Sequence, residues 1–192
     1  MAHYADELSL AEARANYFAA NHFPSDGGYS KRWVRIELGP IALAFPNTAP
    51  RVRAVRFHDL HHVATGYETD LRGEAEIGAW EIASGCADHL AAWVLNLWAM
   101  WIGLLFWPRA IFRAFTRGRR SRNLYRARYD DRLLSTSVGE TRHQLQLDQP
   151  EGPANSADRR AFAFWSVIAL LCSLLGLALL LAPFLALAAL LF

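Results

Sequence analysis

The stretch PRVRAVRFHDLHHVATGYETDLRGEAEIGAWE, residues 50–81, decides the fold. Proline is tolerated at a first helical position and glycine is a natural stop, so Pro50 to Thr65 reads as one helix ending at Gly66. Tyr67-Glu68-Thr69-Asp70 then makes a polar turn, and a second helix runs from about Leu71 through Glu81. With an advance of about 100° per residue and His58 taken as zero, His62 falls near 40°, Asp59 near 100° and His61 near −60°. His58 and His62, at i and i+4, can grip one metal ion. His61 falls off that arc and reads as a partner behind the ligands or a surface residue. Glu74 and Glu81, seven apart on the next helix, share a face with Gly78 and Gly85. Antiparallel packing across the short turn would set this carboxylate face against the histidines. Glu81 reads either as a partner of the site or as half of a structural ion pair. Arg56 has two candidate partners, a substrate carboxylate and Glu81.

Upstream, Ser9 and Glu12 form a capping box for a short helix, with Leu10, Ala13, Tyr17 and Ala20 at helical spacing and a stop before Pro24. Ser25-Asp26-Gly27-Gly28 reads as a loop. Trp33 to Leu38 alternates, Gly39-Pro40 makes a turn, and Ile41 to Phe45 can pair back as a second strand. The expected fold is therefore mainly α, a helical metal-binding domain with a small N-terminal β-hairpin and a C-terminal transmembrane segment. Residues 1–148 form the domain, 149–160 a linker and 161–192 the anchor.

Charge is unevenly spread. Residues 1–90 carry 8 Lys/Arg against 12 Asp/Glu, whereas residues 108–160 carry 12 Arg against 6 acids, which calls for an anionic partner or surface. Lys31 is the only lysine, a bias that fits a GC-rich genome, so each arginine is not read as a chosen phosphate binder. The Arg117–Arg128 cluster reads as a membrane-surface patch, and no nucleic-acid partner is expected. Cys86 and Cys172 are far apart, which argues against a disulfide framework and fits a reducing compartment. The N-terminus lacks a basic n-region and an apolar h-region, so no secretory signal is read.

Two apolar segments follow the motif. Ala91 to Trp107 has no charge and is rich in tryptophan, at the lower length limit for spanning, and 91–117 reads as membrane-associated. Ala161 to Phe192 is wholly uncharged and reads as one tilted or kinked span, with Pro183 as the kink. Arg159-Arg160 before it predict a cytoplasmic start. If Ala91–Trp107 also spanned, His58 and Glu74 would lie outside with no signal to carry them, so an in-plane placement is favoured. This places the protein at a bacterial inner membrane with its catalytic part on the cytoplasmic side.

His58-Asp59-x-x-His62, eleven residues, then Glu74 resembles the signature of the Coq-four family of ubiquinone (coenzyme Q) biosynthesis proteins. The likeness extends to Thr65-Gly66, Gly73-Glu74 and Glu81, and more weakly to Gly118-Arg119-Arg120 and Asn123-Leu124-Tyr125, covering roughly residues 50–148. The resemblance implies a mostly helical, membrane-associated protein with a divalent metal, Zn²⁺ or Fe²⁺, on His58, Asp59, His62 and Glu74. It implies oxidative removal of the ring C1 carboxyl from a polyprenylated benzoate precursor of the quinone; Glu74 and Glu81 are the catalytic candidates, and departures from the family's pattern leave another lipid as the alternative substrate. Other ubiquinone-biosynthesis proteins are the implied partners. The anchor at 161–192 is an addition to the family's pattern.

Competing readings differ in ligand supply. His58-x-x-His61-His62 also looks like a desaturase or hydroxylase histidine box, but those di-iron enzymes need about three such boxes, and seven histidines in all are too few. A His-Asp hydrolase would need further ligands. A non-catalytic lipid-binding scaffold with a structural metal is the non-enzyme reading.

Overall fold

The computed structural model describes residues 4–38, 41–150 and 152–191. Among these, the N-terminal part comprises α1 (Leu10–Ala20), β1 (Trp33–Leu38), β2 (Ile41–Pro46), α2 (Ala49–Thr65) and α3 (Leu71–Ser84). It continues through α4 (Leu90–Phe106), α5 (Pro108–Arg120), α6 (Asp131–Ser135), α7 (Val138–Gln144) and α8 (Ser156–Leu191). The protein is mainly helical with one two-stranded antiparallel hairpin.

Local chemistry explains the boundaries. The Ser9–Glu12 capping box is formed in both directions, satisfying donors that the first turn of α1 leaves open. β1 and β2 pair from Trp33↔Pro46 to Leu38↔Ile41, and the expected Gly39-Pro40 turn lies outside the described residues. Pro50 sits in the first turn of α2, which Gly66 ends in a left-handed conformation at φ 77°. Asp70 caps α3 by accepting from the Gly73 N–H at 2.7 Å.

α3 is the central helix, packed between α4 and α5, with Trp80, Ile77 and Ile82 buried. Two glycines set the spacing. A Cβ at Gly103 would meet Ala75 Cβ at 2.6 Å, and one at Gly118 would strike the Trp80 carbonyl oxygen. Gly118→Val is therefore expected to cost about 1–3 kcal/mol, through overpacking against rigid backbone. A lowered denaturation midpoint with an unchanged slope would show it.

The basic block is more internal than a surface patch requires. α5 buries Ala110, Ile111, Ala114 and Phe115, and three arginines of its last turn are engaged. Arg117 donates to the Thr65 carbonyl at 3.1 Å, while Arg119 and Arg120 hold the Asp158 carboxylate at 2.8 and 3.2 Å. Asp158 is buried and belongs to α8, which begins at Ser156, inside the stretch expected as a linker. Farther along, Trp165 stacks on Trp93 of α4 with ring centres 5.2 Å apart. α8 continues as one helix through Pro183 and is the single helix, among the described residues, long and apolar enough to cross a membrane.

Candidate metal centre

The chemistry-bearing groups sit where α2 faces the first turns of α3. His58 Nε2 and His62 Nε2 face each other at 3.1 Å. Glu74 closes a triangle, with one oxygen 3.3 Å from His58 Nε2 and the other 3.4 Å from His62 Nε2. These three are the described residues whose donor atoms gather within 4.8 Å.

Hydrogen bonds behind the rings fix which nitrogen carries hydrogen. His62 Nδ1 lies 2.9 Å from the Tyr67 carbonyl, which can only accept, so Nδ1 is the protonated position. His58 Nδ1 lies 3.0 Å from Glu81 Oε1, a carboxylate oxygen that likewise accepts. Both Nε2 lone pairs are thereby directed into the same small space. Two facing lone pairs at this separation repel unless a proton or a cation lies between them. Metal-binding histidines have this arrangement, with the outer N–H held by a carboxylate or a carbonyl.

The donor triangle also has the right size. Bonds of about 2.0–2.1 Å at near-tetrahedral angles put donor atoms about 3.1–3.4 Å apart. The two imidazoles and one carboxylate therefore fit Zn²⁺ or Fe²⁺ as a donor set. The side of Glu74 is open, since its side chain is 39% exposed, while His58 is 18% exposed and His62 buried. That leaves coordination positions for a ligand, unlike a closed structural site.

Glu81, a sequence candidate for catalysis, is fully buried with both oxygens occupied. Oε1 accepts from His58 Nδ1 and from His61 Nδ1 at 2.6 Å, and Oε2 accepts from the Tyr125 hydroxyl at 2.7 Å and from the Asn96 amide. It positions His58, and its carboxylate has no exposed surface. His61, which helical phase left between support and surface, is wholly buried and supports the site: its Nε2 accepts from the Leu124 N–H at 2.9 Å. Tyr125 and Asn96 are functional neighbours that sequence reasoning missed. The Asn123-Leu124-Tyr125 likeness touched one of them without assigning it a role.

Asp59, expected as a fourth ligand, accepts from the Tyr29 hydroxyl at 2.5 Å and is not among the three converging groups. Its near-100° offset from His58 turns it toward the Gly27-Gly28-Tyr29 loop. Arg56 forms no ion pair with Glu81; its guanidinium lies over the rings of Tyr29 and Tyr129 at 5.3 and 5.6 Å. Tyr17 of α1 stacks on His62 with ring centres 5.5 Å apart.

Electrostatics follow from the packing. Burial opposes a charged His58, but Glu81 and Glu74 outweigh it and hold the imidazolium well above the usual histidine range. Burial likewise opposes the Glu74 carboxylate, yet His62 and His58 keep it well below its ordinary value. In the metal-free protein both directions favour a proton on His58 Nε2, which faces the Glu74 carboxylate as well as His62. Metal loading must displace it, so uptake near neutral pH is expected to release about one proton per ion, with affinity rising as pH increases. Calorimetry in buffers of different ionisation enthalpy reads that number directly.

Compared with known proteins, the chain matches no family model, no curated protein and no solved structure.

Proposed function

We propose that the chain is a membrane-anchored, metal-dependent enzyme acting on a prenylated aromatic acid of the ubiquinone route, removing its ring C1 carboxyl oxidatively. One observation carries the metal part of this reading. Two histidines with outer N–H groups tied to Glu81 and Tyr67 aim both Nε2 atoms at one point beside Glu74. The substrate part is supported by the resemblance of His58-Asp59-x-x-His62 and Glu74 to the Coq-four signature. Anchorage is supported by α8, whose most apolar window has a mean hydropathy of 2.5 and is almost wholly uncovered.

His58, His62 and Glu74 would hold Zn²⁺ or Fe²⁺, supplying when bound a Lewis acid toward a substrate oxygen and, for iron, access to oxygen chemistry. The protein's own groups set the rest. Glu81 fixes the orientation of His58, Tyr17 backs His62, and the exposed side of Glu74 leaves room for a ring substituent. Replacing the carboxyl by hydroxyl takes one water, releases carbon dioxide and passes two electrons and two protons to an external acceptor.

The test combines metal analysis of purified protein with quinone profiling of a strain lacking the gene. A carboxylated, prenylated precursor is expected to accumulate, and the double variant His58→Ala/Glu74→Ala should stay folded and membrane-bound without restoring the profile. An unchanged profile in the deletion strain contradicts the substrate assignment. Loss of folding or of assembly in the double variant would instead favour a scaffold with a structural metal.

A further inference from the structure

The exposed face of α2 looks away from the metal centre. With His58 at zero, Arg53 falls near −140° and Arg56 near 160°, across the helix from His62 near 40°. Both arginines line a groove of two lobes, of about 680 and 430 Å³, within the size range of small-ligand sites. Arg53 and Tyr129 belong to both lobes, so the two adjoin. The larger lobe adds His89 and Arg126, and the smaller adds Tyr29 and Arg56. His58, His62 and Glu74 line neither.

The arginines are held in place with donors to spare. The Arg56 guanidinium lies over the rings of Tyr29 and Tyr129, which fixes its plane and leaves its N–H edge for another partner. Arg53 uses two nitrogens on Asp88, at 3.0 Å to the carboxylate and 3.3 Å to the carbonyl, and this pair lies at the surface. Asp88 is the one acid among the residues lining the lobes, so three arginines less one carboxylate leave a net charge of +2. His89 supplies a second, independent signal. It is buried, and its Nε2 lies 3.1 Å from the Tyr125 carbonyl, which can only accept, so Nε2 carries the hydrogen. Nδ1 is left as a lone pair with no hydrogen-bond partner among the described residues. Buried acceptors are almost always matched, and this one, in a groove wall, calls for a donor that a ligand brings.

We propose that this groove binds a small phosphate monoester bearing hydroxyl groups, of the sugar-phosphate class. Such a monoester carries close to two negative charges at neutral pH, matching the +2 of the wall. Its oxygens accept paired N–H donors from a guanidinium fork. A phosphate seated at Arg53, where the lobes meet, is flanked by Arg56 in one lobe and Arg126 in the other. The hydroxyl-bearing part extends along the larger lobe, with one hydroxyl donating to His89 Nδ1. The site goes beyond the metal reading and stands apart from it, since it lies on the opposite face of α2 from His58 and His62.

Titration calorimetry on the full chain, stripped of metal and kept in a nonionic polyoxyethylene detergent, tests this with ribose 5-phosphate as the probe. Saturable one-to-one binding is expected. Arg56→Gln and Arg126→Gln, both at exposed positions, should each weaken it by about tenfold. Arg109→Gln, at an exposed position outside the groove, should leave it unchanged. Methyl phosphate, a monoester without hydroxyls on carbon, should bind wild type about tenfold more weakly than ribose 5-phosphate, and His89→Phe should remove that difference. The comparison of the two esters on wild type decides the hydroxyl contact even if His89→Phe does not fold. Absence of binding, equal binding by the two esters, or unchanged binding in both groove-arginine variants overturns the proposal. Equal or tighter binding of glycerophosphoglycerol, a phosphodiester, would assign the groove to a lipid headgroup and also overturns it. Binding lost in Glu74→Ala would place the probe at the metal centre, whereas binding retained there, whatever the zinc affinity, keeps this site separate from that reading.

Discussion

Glu81→Ala is expected to destabilise the fold by about 3–5 kcal/mol, the usual effect of removing one partner from a buried charged cluster. The carboxylate is fully buried and accepts from His58, His61, Asn96 and Tyr125. Alanine would leave all four donors without an acceptor and water could not easily replace it. Glu81→Gln keeps the volume but turns an amide N–H₂ toward groups that are themselves donors, so about 1–3 kcal/mol should be lost. The pH dependence has a definite sign. Burial works against ionised Glu81, but His58 and His61 outweigh it, so its folded-state pKa is depressed. The stabilisation it gives is present above the ordinary glutamate value of about 4.3 and fades as pH falls through the depressed one. Denaturation curves of wild type and Glu81→Ala should accordingly converge in acid and separate near neutrality.

The second large effect concerns metal affinity. His62→Ala removes one of three donors whose atoms lie 3.1–3.4 Å apart. Structural zinc sites are worth about 10–16 kcal/mol over four ligands, so losing one should cost about 3 kcal/mol, on the order of a hundredfold in affinity. His58→Ala should do at least as much. Glu81→Gln, acting through the orientation of His58, should weaken binding by about 10–100-fold. Competition with a chromophoric chelator orders the series. Equal affinities for wild type and His62→Ala would show that the ion sits elsewhere.

The α2–turn–α3 unit was legible because its signals are local: Pro50 in the first turn, Gly66 at φ 77° and the Asp70 cap. The same locality made His58 and His62 legible, since i, i+4 spacing needs only the helix. Glu74 followed from the short turn. What lay outside the sequence's reach depends on distant partners. Tyr125 reaches Glu81 across 44 residues and Leu124 reaches His61 across 63, with no periodic signal to announce either. The partner of Asp59 was hidden for the same reason, as Tyr29 reaches it from a glycine-rich loop thirty residues earlier. The α5 helix was hidden by its arginines, although Pro108 at its start and the spacing of Ile111, Ala114 and Phe115 are helical cues. Arg119 and Arg120 read as free surface charge because Asp158, nearly forty residues on, could not be placed against them.

These elements form one chain of cause. Caps and a short turn align two helices, the alignment aims two imidazoles at one carboxylate, and buried Glu81 behind His58 and the Tyr67 carbonyl behind His62 fix the proton positions that leave both Nε2 atoms free to ligate. X-ray absorption on the zinc-loaded wild-type protein tests this most directly. The account predicts one equivalent of zinc with two imidazole nitrogens at about 2.0–2.1 Å and oxygen in the remaining positions. It also predicts that the imidazole signature falls to a single ring in His62→Ala. Failure to take up one equivalent, or a two-imidazole signature that survives unchanged in His62→Ala, would contradict it.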